Sequence, residues 1–408
     1  MKRILYMIAF FLLALVPLKC AMADTRIMVI SDTHVLAPEL FEGSDLFIQA
    51  LRAGDGKYTQ HSEELMQGLL EEVKHQKPDA LVLTGDLTFN GEKASHLWLK
   101  GWLRRIEAET GTNVWVIPGN HDINSPSTRR FEGDAWYPAP NLNADGFQEI
   151  YLEFLGDCDL QDEAGFTYMV PVGDRVALVL MDVSFYEPMG QTFGVYMSSH
   201  DVQVREMLKE AASEGRTVIT GSHHSLVAQS SFARESFQMF GWETCLETLR
   251  RAGVQLHVSG HLHIQHLMEQ DGVTDAATGA FSVSPHRFAM IEIRDDGSID
   301  YEARALCAEH LPEGFQEESA RWFCEITKDK NRKSMDPSIP EEEREQMLDL
   351  SARFNLAYFS GTFRSDDPSW KQDPGWALWQ EKGENVFARY LDMVSRESLM
   401  DNLHWSSR

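Results

Sequence analysis

The chain has 408 residues, which is long enough for one large domain and a smaller second one. Its 63 acidic side chains outnumber its 37 basic ones and give a formal net charge of -26 at pH 7. Binding to long nucleic acid depends on basic side chains that neutralise phosphates, so this acidic balance argues against DNA or RNA as a partner. A small anion can still be captured locally by metal ions.

The first residues have the three parts of an export signal. A basic start precedes an apolar stretch over residues 4–18, and residues 21–23 supply a small-x-small cleavage pattern. About 15 apolar residues is short against the roughly 20 that span a bilayer, which argues against a membrane anchor. Cys20 leaves a lipoprotein as a second alternative. We predict a signal peptide over residues 1–23, and a periplasmic or secreted protein without a stable membrane span after cleavage.

Beyond this segment, strand and helix patterns alternate along the chain. Short apolar runs bounded by turn residues predict strands, and apolar residues repeated every three or four positions predict helices. The strand-like runs cover residues 26–30, 80–83, 114–117, 167–171, 176–181, 217–219 and 254–258, and the helical stripes cover residues 66–73, 99–106 and 204–211. Residues 290–293 and 299–303 predict a hairpin. This alternation predicts a layered α/β fold with helices on both faces.

Past about residue 305 the strand signals stop and charged amphipathic helices take over. Two apolar stripes cover residues 347–357 and 387–394. We predict a first domain over residues 24–305 and a small helical C-terminal module over residues 306–408. The module is expected to pack on the first domain, to cap its site, or to join subunits into a homo-oligomer, and the sequence leaves these alternatives open.

Four cysteines remain after signal cleavage, in a compartment that permits disulfides. They are Cys158, Cys245, Cys307 and Cys324. Cys245 falls on the apolar stripe of a helix pattern, so we predict that it is a buried free thiol. Sequence alone does not choose among the three full pairings of four cysteines, and we take Cys307 with Cys324 as the better candidate pair.

Five short islands of polar side chains follow predicted strands in a fixed order. They are Asp32-Thr33-His34, Gly85-Asp86, Gly119-Asn120-His121-Asp122, His223-His224 and Gly260-His261-Leu262-His263. Open α/β sheets build their sites at the carboxyl ends of strands, so these side chains are expected to converge. Carboxylate, amide oxygen and imidazole are ligands that divalent metal ions accept. The islands supply enough of them for two ions that share one carboxylate, which predicts a two-metal hydrolytic centre.

Local spacing indicates which side chains reach one centre. Asp32 and His34 are two residues apart, so an extended backbone would point both to the same side. His223 and His224 are adjacent and would point in opposite directions, so only one of them is expected to bind metal. Gly85 is expected to let the backbone turn closely, so that the Asp86 carboxylate projects into the same pocket.

The order and residue composition of the islands resemble the sequence motifs of the calcineurin-like metallophosphoesterase family over about residues 26–305. The family pattern runs Asp-x-His, Gly-Asp, Gly-Asn-His-(Asp/Glu), His and Gly-His-x-His, and five ordered parts are more specific than any one part. The resemblance implies a four-layer-type α/β sandwich with two divalent metal ions. It assigns Asp32, His34, Asp86 and His263 to a first site and Asp86, Asn120, His223 and His261 to a second. Mixed oxygen and nitrogen ligands admit Mn, Fe, Zn, Co or Ni, so the metal stays open.

The same resemblance separates His121 from the ligands. It implies that His121 stands near the scissile phosphate, where it protonates the leaving oxygen or stabilises charge on the phosphoryl group. Asp122 is expected either to orient the His121 imidazole by a hydrogen bond or to cap a turn. Ser225 stands where relatives commonly carry a proline, which leaves the shape of the loop after His223 open.

The resemblance implies a binuclear metal-dependent hydrolase of small phosphate esters that uses a metal-bridging hydroxide as nucleophile. The intact motifs, the export signal and the helical tail are most similar to the bacterial cyclic-nucleotide phosphodiesterase branch, so a phosphodiesterase is expected. A 5′-nucleotidase-like phosphomonoesterase and an enzyme of phospholipid headgroups or wall polymers stay open as alternatives. A catalytically silent scaffold of the same fold is the non-enzyme alternative.

Overall fold

The computed structural model describes residues 24–41, 44–158, 165–232, 237–383, 386–397 and 400–407. The predicted signal peptide over residues 1–23, with Cys20, lies outside the described residues. Within the described ranges, no helix combines the length and apolar character needed to cross a bilayer.

Two six-stranded sheets form the centre of the molecule. The strands are β1 (Thr25–Ile30), β2 (Ala80–Thr84), β3 (Asn113–Ile117), β4 (Arg129–Glu132), β5 (Ala135–Pro138), β6 (Tyr168–Val172), β7 (Val176–Met181), β8 (Thr217–Ser222), β9 (Leu256–Ser259), β10 (His266–Gln270), β11 (Val273–Ala277), β12 (Arg287–Ile293), β13 (Ile299–Ala305) and β14 (His404–Ser406). The first sheet has the order β14-β13-β12-β1-β2-β3 and the second β10-β11-β9-β8-β7-β6, while β4 and β5 form a separate hairpin.

Helices cover the sheets and form the C-terminal region. They are α1 (Asp45–Ala53), α2 (Ser62–Gln76), α3 (Lys93–Thr110), α4 (Ala144–Tyr151), α5 (Ser198–Ser213), α6 (Trp242–Arg251), α7 (Phe315–Ser334), α8 (Glu341–Phe359), α9 (Ser369–Gln372), α10 (Pro374–Lys382) and α11 (Val386–Val394). The three helical stripes predicted before residue 305 lie on α2, α3 and α5. Those helix predictions are confirmed.

The two sheets are buried on both faces, as the strand β7 illustrates. All six of its residues are buried. Leu178 and Leu180 belong to the cluster that includes the first sheet, whereas Val179 and Met181 belong to a second cluster with Val204 of α5. Side chains alternate across a strand, so one face of β7 meets the first sheet and the other meets helices. The α/β sandwich that the family resemblance implied is confirmed. The expectation of helices on both faces of a sheet is wrong, because the inner face of the second sheet packs on the first sheet.

Parallel strands at the middle of each sheet bring the polar islands together. The strands β1, β2 and β3 are parallel neighbours in the first sheet, and β7, β8 and β9 in the second. The carboxyl ends of parallel neighbours lie at one edge of a sheet, and the five islands directly follow β1, β2, β3, β8 and β9. This arrangement positions the candidate site.

The chain after β13 differs from the helical module predicted over residues 306–408. Helices α7 to α11 are present, and Trp376 and Trp379 are buried in their core. The described chain end returns to the first sheet, where β14 pairs antiparallel with β13. The preceding Asn402 holds it there, because the Asn402 Oδ1 atom accepts a hydrogen bond from Leu267 N. A strand of three residues depends on this partner, so local sequence did not reveal it.

The four cysteines in the described ranges are free thiols rather than bridged. The structure shows no disulfide among Cys158, Cys245, Cys307 and Cys324. The predicted Cys307–Cys324 pair is therefore wrong. Glu72 holds the backbone of Cys307, while the Cys324 Sγ atom lies 3.8 Å from a carbonyl oxygen of α8. Cys245 is buried in a hydrophobic cluster, as predicted.

Candidate metal centre

The first cluster of candidate ligands lies after β1, β2 and β9. It contains Asp32, His34, Asp86 and His263, whose ligand atoms lie within 4.8 Å of one another. The His34 Nε2 atom is 3.1 Å from His263 Nε2 and 3.5 Å from Asp86 Oδ2. The His263 Nε2 atom is 3.3 Å from Asp32 Oδ1. The structure thus brings together the four residues predicted for the first site.

The second cluster shares Asp86 with the first. The ligand atoms of Asp86, His223 and His261 lie within 4.8 Å of one another. The His223 Nε2 atom is 3.3 Å from Asp86 Oδ1 and 3.1 Å from Asn120 Oδ1. Since Asp86 Oδ2 faces His34, the two oxygens of one carboxylate face two different groups of histidines. The other six predicted ligands therefore lie around this shared carboxylate.

The donor atoms fit two divalent metal ions. Two carboxylates and one amide, contributed by the loops after β1, β2 and β3, lie with four imidazoles, which matches the mixed oxygen and nitrogen coordination of such ions. The His261 Nε2 atom is buried and has no hydrogen-bond partner among the described residues. A buried polar atom without a partner costs roughly 1–3 kcal/mol, which a bound cation would relieve. The predicted two-metal requirement is consistent with this geometry.

Burial and nearby carboxylates shift the pKa values of three of the imidazoles in different directions. Burial lowers the pKa of His223, but Asp86 and Asp32 outweigh it and raise that pKa to about 9. Burial likewise opposes the charge of His263, but Asp55 and Asp32 raise its pKa to about 9. Burial holds the pKa of His261 down to about 3. Without metal, protons on two of the histidines supply the positive charge that the carboxylates attract.

Five of the candidate ligands have a left-handed backbone. The φ angles are 54° for Asp32, 41° for His34, 49° for Asp86, 67° for His261 and 59° for His263. Residues other than glycine seldom adopt this conformation, which costs on the order of 1–3 kcal/mol and concentrates at functional sites. The expectation of an extended backbone through Asp32 and His34 is wrong, because each side chain reaches the centre from a turn.

Two glycines permit the close approach of the loops. Gly85 has a φ of 94°, and a Cβ atom there would lie 2.7 Å from His223 Nδ1. A Cβ atom on Gly119 would lie 2.3 Å from Asp86 Oδ1. Both distances are shorter than carbon atoms tolerate, so a side chain at either position would displace a ligand. The role predicted for Gly85 is confirmed.

His121 is separate from the metal ligands and more exposed. Its backbone N–H donates to Asp86 Oδ1 over 2.9 Å, and its side chain is 32% exposed. The Nδ1 atom lies 3.1 Å from the carbonyl oxygen of Phe89 and 3.0 Å from Asn90 Oδ1. A carbonyl oxygen only accepts, so Nδ1 carries a hydrogen and Nε2 faces the centre, 4.0 Å from Asp86 Oδ2.

Asp122 binds backbone N–H groups instead of orienting the His121 imidazole. Its buried carboxylate accepts hydrogen bonds from the backbone N–H groups of Gly119, Leu87 and Thr88, at 2.8 to 3.0 Å. None of its hydrogen bonds comes from His121, so the orienting interpretation is wrong and the turn-capping alternative is right. The side chain ties the loop that carries Asp86 to the loop that carries His121.

His224 points away from the shared carboxylate, as the alternation argument predicted for one of the adjacent histidines. Its Nε2 atom donates to the carbonyl oxygen of Thr192 over 3.2 Å. Its ring packs on His261, with 4.3 Å between ring centroids. His224 therefore supports a ligand, whereas His223 contacts Asp86 directly.

Two residues around the site were not identified from the sequence. The Asp55 Oδ2 atom lies 2.8 Å from His263 Nδ1, which directs His263 Nε2 into the first cluster. The Asn90 Oδ1 atom contacts the Nδ1 atom of His121. The turn-forming Gly54-Asp55-Gly56 indicates a loop, but no local pattern links it to His263. Asn90 follows Asp86 in the same loop, and that proximity was the one available signal.

Two family models cover most of the chain between them. The model described as calcineurin-like phosphoesterase matches residues 25–265. The model described as the C-terminal domain of cyclic nucleotide phosphodiesterase matches residues 313–401. The first match contains all five polar islands, and the second contains helices α7 to α11.

Parts of the chain are also similar to two curated relatives. A cAMP/cGMP dual specificity phosphodiesterase of Mycobacterium tuberculosis is 35% identical over 100 residues, which cover 24% of this chain and 27% of that protein. A Rhodococcus erythropolis protein named "Probable cyclic nucleotide phosphodiesterase" is 29% identical over 128 residues, which cover 30% of this chain and 38% of that protein. These alignments span less than two fifths of either relative.

The fold has a counterpart among solved structures. A dimetal phosphatase from Danio rerio superposes with a TM-score of 0.50 and 13% identity, over 69% of this chain and 96% of that chain. At this identity the similarity concerns the fold alone. Because the calcineurin-like phosphoesterase model matches more than half of the chain and includes every residue of both clusters, the protein belongs to the calcineurin-like phosphoesterase family.

Proposed function

We propose that the protein is a binuclear metal-dependent phosphodiesterase that hydrolyses small phosphodiesters of the cyclic-nucleotide type. The observation that carries this proposal is the shared carboxylate of Asp86, whose oxygens lie 3.5 Å from His34 Nε2 and 3.3 Å from His223 Nε2. The names of the mycobacterial and rhodococcal relatives and of the C-terminal family model support a phosphodiester as substrate.

The residues of each cluster have defined parts in this proposal. Asp32, His34, Asp86 and His263 would hold one ion, and Asp86, Asn120, His223 and His261 the other. When bound, two divalent ions lower the pKa of a water molecule between them and neutralise charge on phosphoryl oxygens. Asp122 holds the loops of Asp86 and His121 in register, and Asp55 fixes the orientation of His263.

His121 is placed to handle the leaving group. Its Nε2 atom faces the centre, while Phe89 and Asn90 accept the hydrogen on Nδ1. With a proton on Nε2 the ring is an imidazolium, which these two acceptors stabilise. Transfer of that proton to the departing alkoxide avoids release of a strongly basic group.

Hydrolysis of chromogenic esters tests the proposal. We expect the purified chain with Mn²⁺ to release nitrophenol from bis-p-nitrophenyl phosphate, faster than from p-nitrophenyl phosphate, and to stop when a chelator is added. Asp86→Ala should abolish turnover, whereas Asp174→Ala, in the exposed turn between β6 and β7, should not. A preference for the monoester would replace the proposal with a phosphomonoesterase, and no release from either ester would favour a silent scaffold.

We also propose export of the protein, which rests on the N-terminal pattern alone. Mass spectrometry of the protein recovered from the periplasm or medium should show a chain that begins at Asp24. A full-length chain retained in the cytoplasm would contradict it.

A further inference from the structure

A large cavity lies between loops of the chain before residue 305 and the C-terminal helices. Its volume is about 680 Å³. This lies within the range of about 300–1,000 Å³ that is usual for sites of small organic ligands. The walls are mostly apolar, with contributions from the loop after β9 and from α7, α8 and α11: Leu262, Ile264, Phe323, Ile326, Phe359 and Phe387.

The cavity lies beside the metal-ligand clusters, because several of its lining residues neighbour or contact the candidate ligands. Leu262, which lines it, lies between the candidate ligands His261 and His263 in the chain. Asp55 also lines it, and the Asp55 carboxylate contacts His263 Nδ1 at 2.8 Å. The ring of Phe237, another lining residue, lies 5.3 Å from the ring of His261. A substrate with its phosphate at the centre can therefore extend its organic part into the cavity.

Two of the residues that line the cavity carry polar atoms without a hydrogen-bond partner in the described part of the chain, which favours a ligand that forms hydrogen bonds. Asn355 and Tyr390 both line the cavity. The Asn355 Oδ1 atom and the Tyr390 hydroxyl are buried and have no hydrogen-bond partner among the residues that the structure describes. A hydrocarbon chain would leave both atoms unpaired, at a cost of roughly 1–3 kcal/mol each. A nitrogen heterocycle can pair with both and can stack on the aromatic walls.

The edge of the cavity also carries positive charge. Lys330 and Arg389 are among its lining residues and are exposed to solvent. The chain as a whole has a net charge of -26, which repels anions. Cationic groups beside the cavity counter this repulsion locally and favour entry of an anionic substrate.

We propose that this cavity is a subsite, completed by the C-terminal helices, that binds the heteroaromatic base of a nucleotide substrate. The inference rests on the proposed phosphodiesterase function, because that function places the phosphate at the adjacent clusters. It gives the C-terminal region a part in substrate binding: α7, α8 and α11 supply apolar walls, and α8 and α11 supply the two polar atoms that lack a partner among the described residues.

Equilibrium binding tests the subsite without requiring turnover. Adenosine, which has no phosphate, is titrated calorimetrically into the full Mn²⁺-loaded chain. We expect saturable binding that weakens about 3–10-fold in Tyr390→Phe and in Asn355→Leu, the effect of one lost hydrogen bond. Tyr137→Phe, which changes an exposed tyrosine of β5, serves as the matched control and should bind like the wild type. Thermal melting checks that each variant is folded.

Two further measurements separate the inference from the proposed function. Hydrolysis of bis-p-nitrophenyl phosphate reports on the metal centre. If this diester is hydrolysed but adenosine does not bind, or binds equally to all folded variants, the subsite is overturned and the phosphodiesterase proposal stands. If adenosine binds as expected but no diester is hydrolysed, the phosphodiesterase proposal fails instead. Octyl phosphate, which carries a hydrocarbon chain in place of a base, is the comparator. If octyl phosphate binds and adenosine does not, the cavity accommodates a hydrocarbon chain and the inference is overturned.

Discussion

At the scale of single residues, the candidate centre depends on side chains that distant parts of the chain place in contact. Burial lowers the pKa values of His223 and His263, but nearby carboxylates have the larger effect and raise both values to about 9. Both histidines are therefore protonated at pH 7 in the metal-free protein. The motif residues were identifiable because they follow apolar strands in a known order. Asp55 was not, because its relation to His263 exists only in the folded chain.

Proton release on metal binding follows from these two histidines. A metal ligand must be deprotonated, so we expect about one to two protons to leave per chain at pH 7, and metal affinity to rise between pH 7 and 9. Calorimetry of Mn²⁺ binding in buffers of different ionisation enthalpy measures the number of protons that are released. Binding without proton release would contradict the assigned charges.

The protons on His223 and His263 also affect the stability of the metal-free fold. This stability falls as the pH rises, whereas the metal affinity increases. Because the folded pKa exceeds the unfolded value of about 6.5, their contribution to stability is complete below that pH and is lost as pH rises through about 9.

His121 should affect turnover rather than metal content. His121→Ala removes the side chain whose Nε2 faces the centre but none of the ligands, so we expect turnover to fall by about 10²–10⁴-fold. Elemental analysis should find the metal content of the wild type. His75→Ala, on an exposed position of α2, is the control. Loss of metal from His121→Ala would mean that this histidine is a ligand.

At the scale of elements, the strands and helices were predictable where burial imposes a regular pattern. The strand β7 is apolar throughout because it is covered on both faces, and α2 carries a clear apolar stripe. The end of the chain was not predictable in this way. The strand β14 has three residues, and its pairing with β13 depends on contacts such as that between Asn402 and Leu267. The left-handed turns at Asp32 and His34 likewise depend on neighbouring loops.

The loops after β2 and β3 should loosen when Asp122 is changed. Asp122→Ala leaves three buried N–H groups without their acceptor, at roughly 1–3 kcal/mol for each donor that water cannot reach. We expect a lower free energy of unfolding in urea and weaker Mn²⁺ binding, since Asp86 lies in one of these loops. Asp174→Ala is the matched control. Unchanged stability and affinity in Asp122→Ala would show that this side chain does not hold the loops.

At the scale of the whole molecule, two sheets bring their strand ends to one place and the C-terminal helices close a cavity beside it. The family and the two-layer sheet core were accessible from the sequence, because ordered motifs follow buried strands. The cavity was not accessible, because its walls come from segments that are far apart in the chain. In the proposed subsite, its position would give the helical region a role in substrate choice.

We propose that the Asp86 carboxylate joins two metal sites in this chain. Crystals of the Mn²⁺-loaded protein, measured at a wavelength where manganese scatters anomalously, test this arrangement. We expect two anomalous peaks about 3.5–4 Å apart, one on either side of the Asp86 carboxylate. A single peak, or peaks remote from Asp86, in protein that hydrolyses bis-p-nitrophenyl phosphate would contradict it.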